Sequence, residues 1–232
     1  MHDGKAPRPI SIERNYPTGA PGSVLIACGE TRVLCTASIA DDVPGWLANQ
    51  DPPRGWVTAE YNMLPGSTRP RKKRGTDGRS SEIQRLIARV LRASVDLHRM
   101  PGLLITCDCE VLKADGGTRT TSINGAMIAL IDALEFARKN GKLEGDPLLG
   151  HVAAMSVGIV GGRPVLDLDY DLDSTADVDL NVAMNDRGEF VEIQGTGEQI
   201  TFRRDQLDQM LDMASEGIRV MIDAQKQALS AG

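Results

Sequence analysis

Aromatic residues are scarce, at 3% of 232 positions, and no strand-like run carries the Phe/Tyr platform on which RNA-binding sheets stack bases. Any nucleic acid would be gripped by its phosphates more than by its bases. Histidine is scarcer: His2 stands near the terminus, His98 falls late in a helical stretch and His151 opens a strand-like one. A mechanism resting on a histidine base has little material here. The four cysteines, Cys28, Cys35, Cys107 and Cys109, sit inside apolar runs, and the Cys107-x-Cys109 spacing differs from the C-x-x-C pairs of zinc modules. Buried, reduced thiols are expected. No stretch approaches the roughly 20 apolar residues of a membrane span, and MHDGKAPRPISIERNYP lacks the apolar core of a signal peptide. These absences predict a soluble, cytoplasmic protein with no membrane partner. Net positive charge is missing too: the formal charge of −6 argues against a surface coated in basic residues for nucleic acid.

What is present is an ordinary globular balance, 41% hydrophobic and 25% charged, in a chain long enough for one large domain or two intimate halves. No Pro-, Gly- or Ser-rich linker divides it, so a single domain over residues 1–232 is expected. GSVLIACGETRVLCTASIA reads as a hairpin around Gly29-Glu30-Thr31, followed by a strand in GWVTAEYNML. The period then changes. In SEIQRLIARVLRASVDL, residues Ile83, Leu86, Ile87, Val90, Leu91 and Val95 recur at helical spacing, while Arg85, Arg89 and Arg92 form a solvated or subunit-contacting stripe. LLITCDCEVL is the next strand, and TTSINGAMIALIDALEFARK the next helix, closed by Gly141. Two hairpins follow Pro147, turning at Gly161-Gly162 and near Asp186-Arg187-Gly188, and a final helix spans RRDQLDQMLDMASEGIRVMIDAQKQALSA. Strands followed by helices in both halves suggest a duplicated β-β-α plan folded into one α+β body.

Three stretches carry chemistry. ADGGTRTTSINGA, residues 114–126, leaves a strand through two glycines that bring bare amides near a ligand, then enters a helix whose positive end attracts anions. The same residues also suit an ordinary turn with Thr121 or Ser122 as N-cap and Arg119 in solvent. Neither the Walker pattern nor G-x-G-x-x-G fits. RPRKKRGTDGR, from Arg69 to Arg79, sets six cations against one aspartate in a Pro/Gly-bearing loop. Finally, Asp167, Asp169, Asp171, Asp173, Asp177 and Asp179 crowd into thirteen positions, where like charges repel unless a cation or arginine offsets them. An EF-hand is excluded, because Leu172 and Val178 stand where glycine and glutamate belong. Alternation with Leu166, Leu168, Tyr170 and Leu172 predicts a strand with some aspartates on its wet face, Asp173 in the loop beyond and Asp179 opening the next strand.

GWVTAEYNMLP, GRSSEIQRLIARVLRASVDL, CDCEVLKADGGTRTTSINGA, the Asp-rich segment and VEIQGTGE together resemble the ribonuclease PH family over nearly the whole chain. The resemblance implies the α+β ribonuclease PH domain, similar to the second domain of ribosomal protein S5, with two β-rich halves and helices packed on mixed sheets. It implies phosphate-dependent trimming of tRNA precursors and other RNA 3′ ends, and a homo-oligomer that closes as a hexameric ring, a trimer of dimers. Carried over residue by residue, Arg79, Gly117, Thr118 and Arg119 would hold inorganic phosphate as co-substrate. Asp173 and Asp179 would serve both the chemistry and a Mg²⁺ ion, with Asp167 in support, and one of the two would also help to protonate the leaving group. Arg69, Arg71, Lys72, Lys73 and Arg74 would grip RNA, although the Gly66–Gly78 loop looks shorter than the family's usual arginine-bearing loop. A catalytically silent RNA-binding ring subunit and a metal-dependent hydrolytic exonuclease are the competing readings.

Overall fold

The computed structural model describes residues 4–75 and 77–231; His2 and Thr76 of the basic loop lie outside them. Five strands build the first sheet: β1 (Ile10–Arg14), β2 (Gly22–Cys28), β3 (Thr31–Ala40), β4 (Trp56–Met63) and β5 (Leu104–Lys113), in the order β1-β2-β3-β5-β4. Only the β4–β5 pair is parallel, because the chain between them crosses over through α1 (Gly78–Arg92). The second sheet is wholly antiparallel, in the order β7-β6-β8-β9, from β6 (Val152–Val160), β7 (Arg163–Leu166), β8 (Val178–Asn185) and β9 (Phe190–Gly197).

Helix α2 (Thr118–Lys139) lies between the sheets, packed on β2, β3 and β5 on one side and on β6 on the other. Its sequence is accordingly apolar or small around most of its circumference, rather than along one stripe. At Gly125 it approaches so closely that a Cβ would stand 2.6 Å from Ile26 and 2.7 Å from Cys35 Sγ. The first core cluster runs from sheet one through α1 and α2 into Val152, Ala154 and Ala183 of the second sheet. A second cluster fills the space between the other face of sheet two and α4 (Arg204–Ser230).

In α1 the expected apolar face, Ile83, Leu86, Ile87, Val90 and Leu91, is buried. Two of its arginines are used within the chain: Arg89 pairs with Glu192 at 2.7 Å, and Arg92 stacks 4.4 Å over Trp56 while donating to the Val57 carbonyl. All four cysteines are free and buried, and no helix among the described residues is long and apolar enough to cross a membrane.

One expectation fails in an instructive place. The alternating LDLDYDL run is not a strand: β7 stops at Leu166, Asp167 turns the chain with a φ of 55°, and α3 (Tyr170–Thr175) follows. Asp169 caps that helix by accepting from the Leu172 amide at 2.9 Å, a local bond that competes with strand pairing. Asp173 therefore sits on a helix and not in a loop.

Candidate active site

Beyond β5 the chain turns through Gly116 and Gly117, whose φ values are 71° and 63°. A Cβ at Gly116 would meet the Leu168 carbonyl oxygen at 2.4 Å, so conformation and space both require glycine. Gly117 is the N-cap of α2; no side chain caps the helix, and its first turn holds no acidic residue. Its free amides and positive end favour an anion. Because the left-handed glycines complete the turn early, with the Thr121 amide bonded to the Gly117 carbonyl at 2.9 Å, Thr118 and Arg119 lie inside the helix's first turn.

Neighbouring elements hold these side chains. The Tyr61 hydroxyl on β4 donates to Thr118 Oγ1 at 2.9 Å. Arg119 Nη1 donates to Gln194 Oε1 on β9 at 2.9 Å, and Gln194 Nε2 donates in turn to Glu82 Oε1 on α1 at 2.6 Å. Arg79 is exposed in the first turn of α1 and lines the same cavity of about 450 Å³. Asp77 starts that helix by accepting from the Ser80 amide at 2.7 Å, and these bonds, with Lys72 at 2.9 Å, hold its carboxyl well below the usual range. Lys72 is thereby tied to the helix and lines the cavity, whereas Arg69, Arg71, Lys73 and Arg74 are exposed and do not line it.

Asp173 on α3 and Asp179 on β8 line the same cavity as these basic groups. Burial and then the charge of Asp173 push Asp179 up to about 6, against the pull of Arg119 and a hydrogen bond from Asn181 Nδ2 at 3.3 Å. Asp173 is exposed on α3, and the partial desolvation it meets at the cavity raises it as well, against the pull of Arg79 and Arg119. Two carboxylates whose ionisation the protein opposes, facing two arginines, call for a cation or an ordered charged ligand between them. Among the described residues no three His, Cys, Asp or Glu side chains converge to cage a metal. Mg²⁺ beside phosphates needs only one or two carboxylates, so the pair fits it.

Arg79, Gly117, Thr118, Arg119, Asp173 and Asp179, all singled out in the sequence, thus meet in one cavity, with Lys72 as the one further cation of the basic loop, whereas Asp167 is buried outside its lining. Asn181 and Glu198 join the lining without having been foreseen. Asn181 was legible in principle, two positions beyond Asp179 and so on the same face of β8. Glu198, just past β9, had no periodic signal.

Residues 6–134 match the 3′ exoribonuclease family, domain 1, and residues 150–217 match domain 2 of the same family. Ribonuclease PH of Synechococcus sp. is 52% identical over 229 residues, covering 96% of this chain and 93% of the relative. Ribonuclease PH of Corynebacterium efficiens is 52% identical over 235 residues, with 98% and 95% covered. A solved structure described as the Archaeoglobus fulgidus exosome with RNA bound to the active site superposes with a TM-score of 0.82 at 22% identity, covering 95% of this chain and 89% of that one, which speaks for the fold. With both domains matched in order and relatives this similar along nearly its whole length, the chain belongs to the 3′ exoribonuclease family.

Proposed function

We propose that this cavity seats inorganic phosphate as a nucleophile against the 3′ end of RNA, tRNA precursors among them. The chain is a phosphorolytic 3′-to-5′ exoribonuclease. A phosphate oxygen bonds to the phosphorus of the last 3′,5′-phosphodiester, the bond from that phosphorus to the 3′ oxygen breaks, and a nucleoside 5′-diphosphate leaves. The 3′ oxygen of the shortened RNA takes a proton. One phosphoric linkage replaces another, so the reverse reaction adds nucleotides from diphosphates. The observation that carries the reading is the meeting, in one cavity, of the uncapped start of α2, Arg79 and Arg119 with the Asp173/Asp179 pair.

The barrier is electrostatic, since an anion must approach an anionic diester, and catalysis rests on placement and charge neutralisation. The amides of Gly117 and Thr118, with the guanidinium groups of Arg79 and Arg119, orient the attacking phosphate, the arginines adding forked geometry to their charge. Mg²⁺ held by Asp173 and Asp179 would neutralise charge on the transferring phosphoryl group and the departing 3′ oxygen. One of the two aspartates would also help to return a proton to that oxygen. The exposed cations of the basic loop steer and grip the RNA backbone outside the cavity.

Titration of inorganic phosphate followed by calorimetry is expected to show one saturable site, which Arg79→Ala weakens by roughly 10-fold or more, since hydrogen bonds to charged groups contribute about 1.5–3 kcal/mol. Equal affinity in the variant would remove Arg79 from the seat. The chain also assembles as a hexameric ring of three dimers; exposed Phe136, Leu149, Phe190, Ile193 and Val220 supply apolar surface for it. Light scattering should return six times the 25.0 kDa chain mass, and a monomer would refute the ring.

A further inference from the structure

Arg8 precedes β1 and lies 159 positions before Asp167 of the acidic segment, yet it is 5% exposed and bound to it. Its main-chain amide and Nε both donate to Asp167 Oδ2, at 2.7 and 2.9 Å, and Nη2 donates to Oδ1 at 2.7 Å. The rest of the guanidinium turns to the glycine loop: Nη1 donates to the Asp115 carbonyl at 2.5 Å, and Nη2 reaches the Gly116 carbonyl at 3.5 Å. Thr31 reinforces the contact, donating to the Gly116 carbonyl at 2.6 Å and accepting from the Asp115 amide at 2.8 Å.

In a trans peptide the carbonyl and the next amide point in opposite directions. Drawing the Gly116 carbonyl toward Arg8 therefore turns the Gly117 amide, one of the two placed at the phosphate, the other way, and drawing the Asp115 carbonyl does the same for the Gly116 amide beside it; both glycines line the cavity. On the other side of the clamp, Asp167 leads through Leu168 to Asp169, the cap of α3, four residues before Asp173. The glycine loop lies directly on this stretch, with the Cβ position of Gly116 2.4 Å from the Leu168 oxygen and 2.7 Å from Asp169 Cα.

We infer that Arg8 and Asp167 are positioning residues, a buried clamp that aims the phosphate-binding amides and sets them at a fixed distance from the carboxylate on α3. This rests on the phosphate-seat reading above. Neither side chain is placed to touch the substrate; both are buried beneath the loop. Burial opposes the Asp167 charge, but the bonds and charge of Arg8 outweigh it and keep the group ionised, so the pair acts as a fixed fork and not as a titrating one. Only guanidinium fills this geometry, since lysine offers charge without the fork.

The test is Arg8→Lys and Asp167→Asn in the full-length protein, with phosphate affinity, turnover at saturating phosphate, and RNA affinity measured on each. A displacement of about 1 Å in the nucleophile costs on the order of 10²-fold in rate, so turnover should fall by roughly that factor and phosphate affinity by about 10-fold, with RNA affinity within about 2-fold. Should Arg8→Lys not fold, Asp167→Asn decides in the same assays. Folded clamp variants with parental phosphate affinity and turnover, merely less stable, would overturn the inference. If Arg79→Ala and Arg119→Ala lose phosphate affinity while the clamp variants keep it, the clamp alone is wrong. If all of them keep it, the cavity is not the phosphate seat and both readings fall.

Discussion

Replacing Arg119 by alanine is expected to lower phosphate-dependent cleavage by about 10³-fold or more while RNA affinity stays within about 2-fold. The magnitude follows from the role proposed for the guanidinium. It stands in the first turn of α2, beside the free amides, and its charge is felt by both Asp173 and Asp179. Loss of a charged, forked contact to the nucleophile removes on the order of 4 kcal/mol of transition-state stabilisation, which is three powers of ten in rate. The fold should survive, because Gln194 keeps its bond to Glu82 across β9 and α1 when Arg119 is gone. Single-turnover rates at varied phosphate, with RNA binding followed by anisotropy, check it. Undiminished phosphorolysis in the variant would show that the arginine serves something else.

Asp179→Asn should cut turnover by about 10³-fold with little change in RNA affinity, and should at the same time make the protein more stable. Both effects have one cause. Burial and Asp173 push the carboxyl of Asp179 up to about 6, so the folded state favours its protonated form. Below about pH 4 the group is protonated folded or unfolded, and its stabilising contribution is fully present. As pH rises through 6 the folded chain must carry the unwelcome charge, and that contribution is lost. Asparagine never ionises, so in chelator the variant should melt higher than its parent at pH 7–8, by on the order of 1–2 kcal/mol, with the gap closing toward pH 4. Turnover loss without stabilisation would mean the aspartate is not desolvated as described. A large loss of RNA affinity with intact turnover would make it a binding residue.

Much of this was legible in the chain. Helical spacing in α1 and alternation in β2, β3 and β5 are read directly, because each element buries one face and the periods differ. ADGGTRT announced its glycine turn and helix start, misplacing only the first residue of the helix. The Asp-rich segment misled, since its period of two is that of a strand while its aspartates are placed to cap and turn. Asp169 satisfies the Leu172 amide and Asp167 adopts a left-handed φ, and neither act leaves a periodic trace. Strand β1 went unforeseen because its pattern, half-buried against exposed, is too shallow at an edge to stand out. Arg8 was illegible for a deeper reason: its meaning lies in contacts with Asp115, Gly116 and Asp167, which exist only once both halves have folded together.

The chemistry turns on whether phosphate or water attacks the RNA at this cavity. Terminally labelled RNA incubated with Mg²⁺, with and without inorganic phosphate, followed by chromatography of the released nucleotides, tests it most directly. Nucleoside 5′-diphosphates are expected, and only with phosphate. Monophosphates released equally in its absence, or no release in either case, would contradict it.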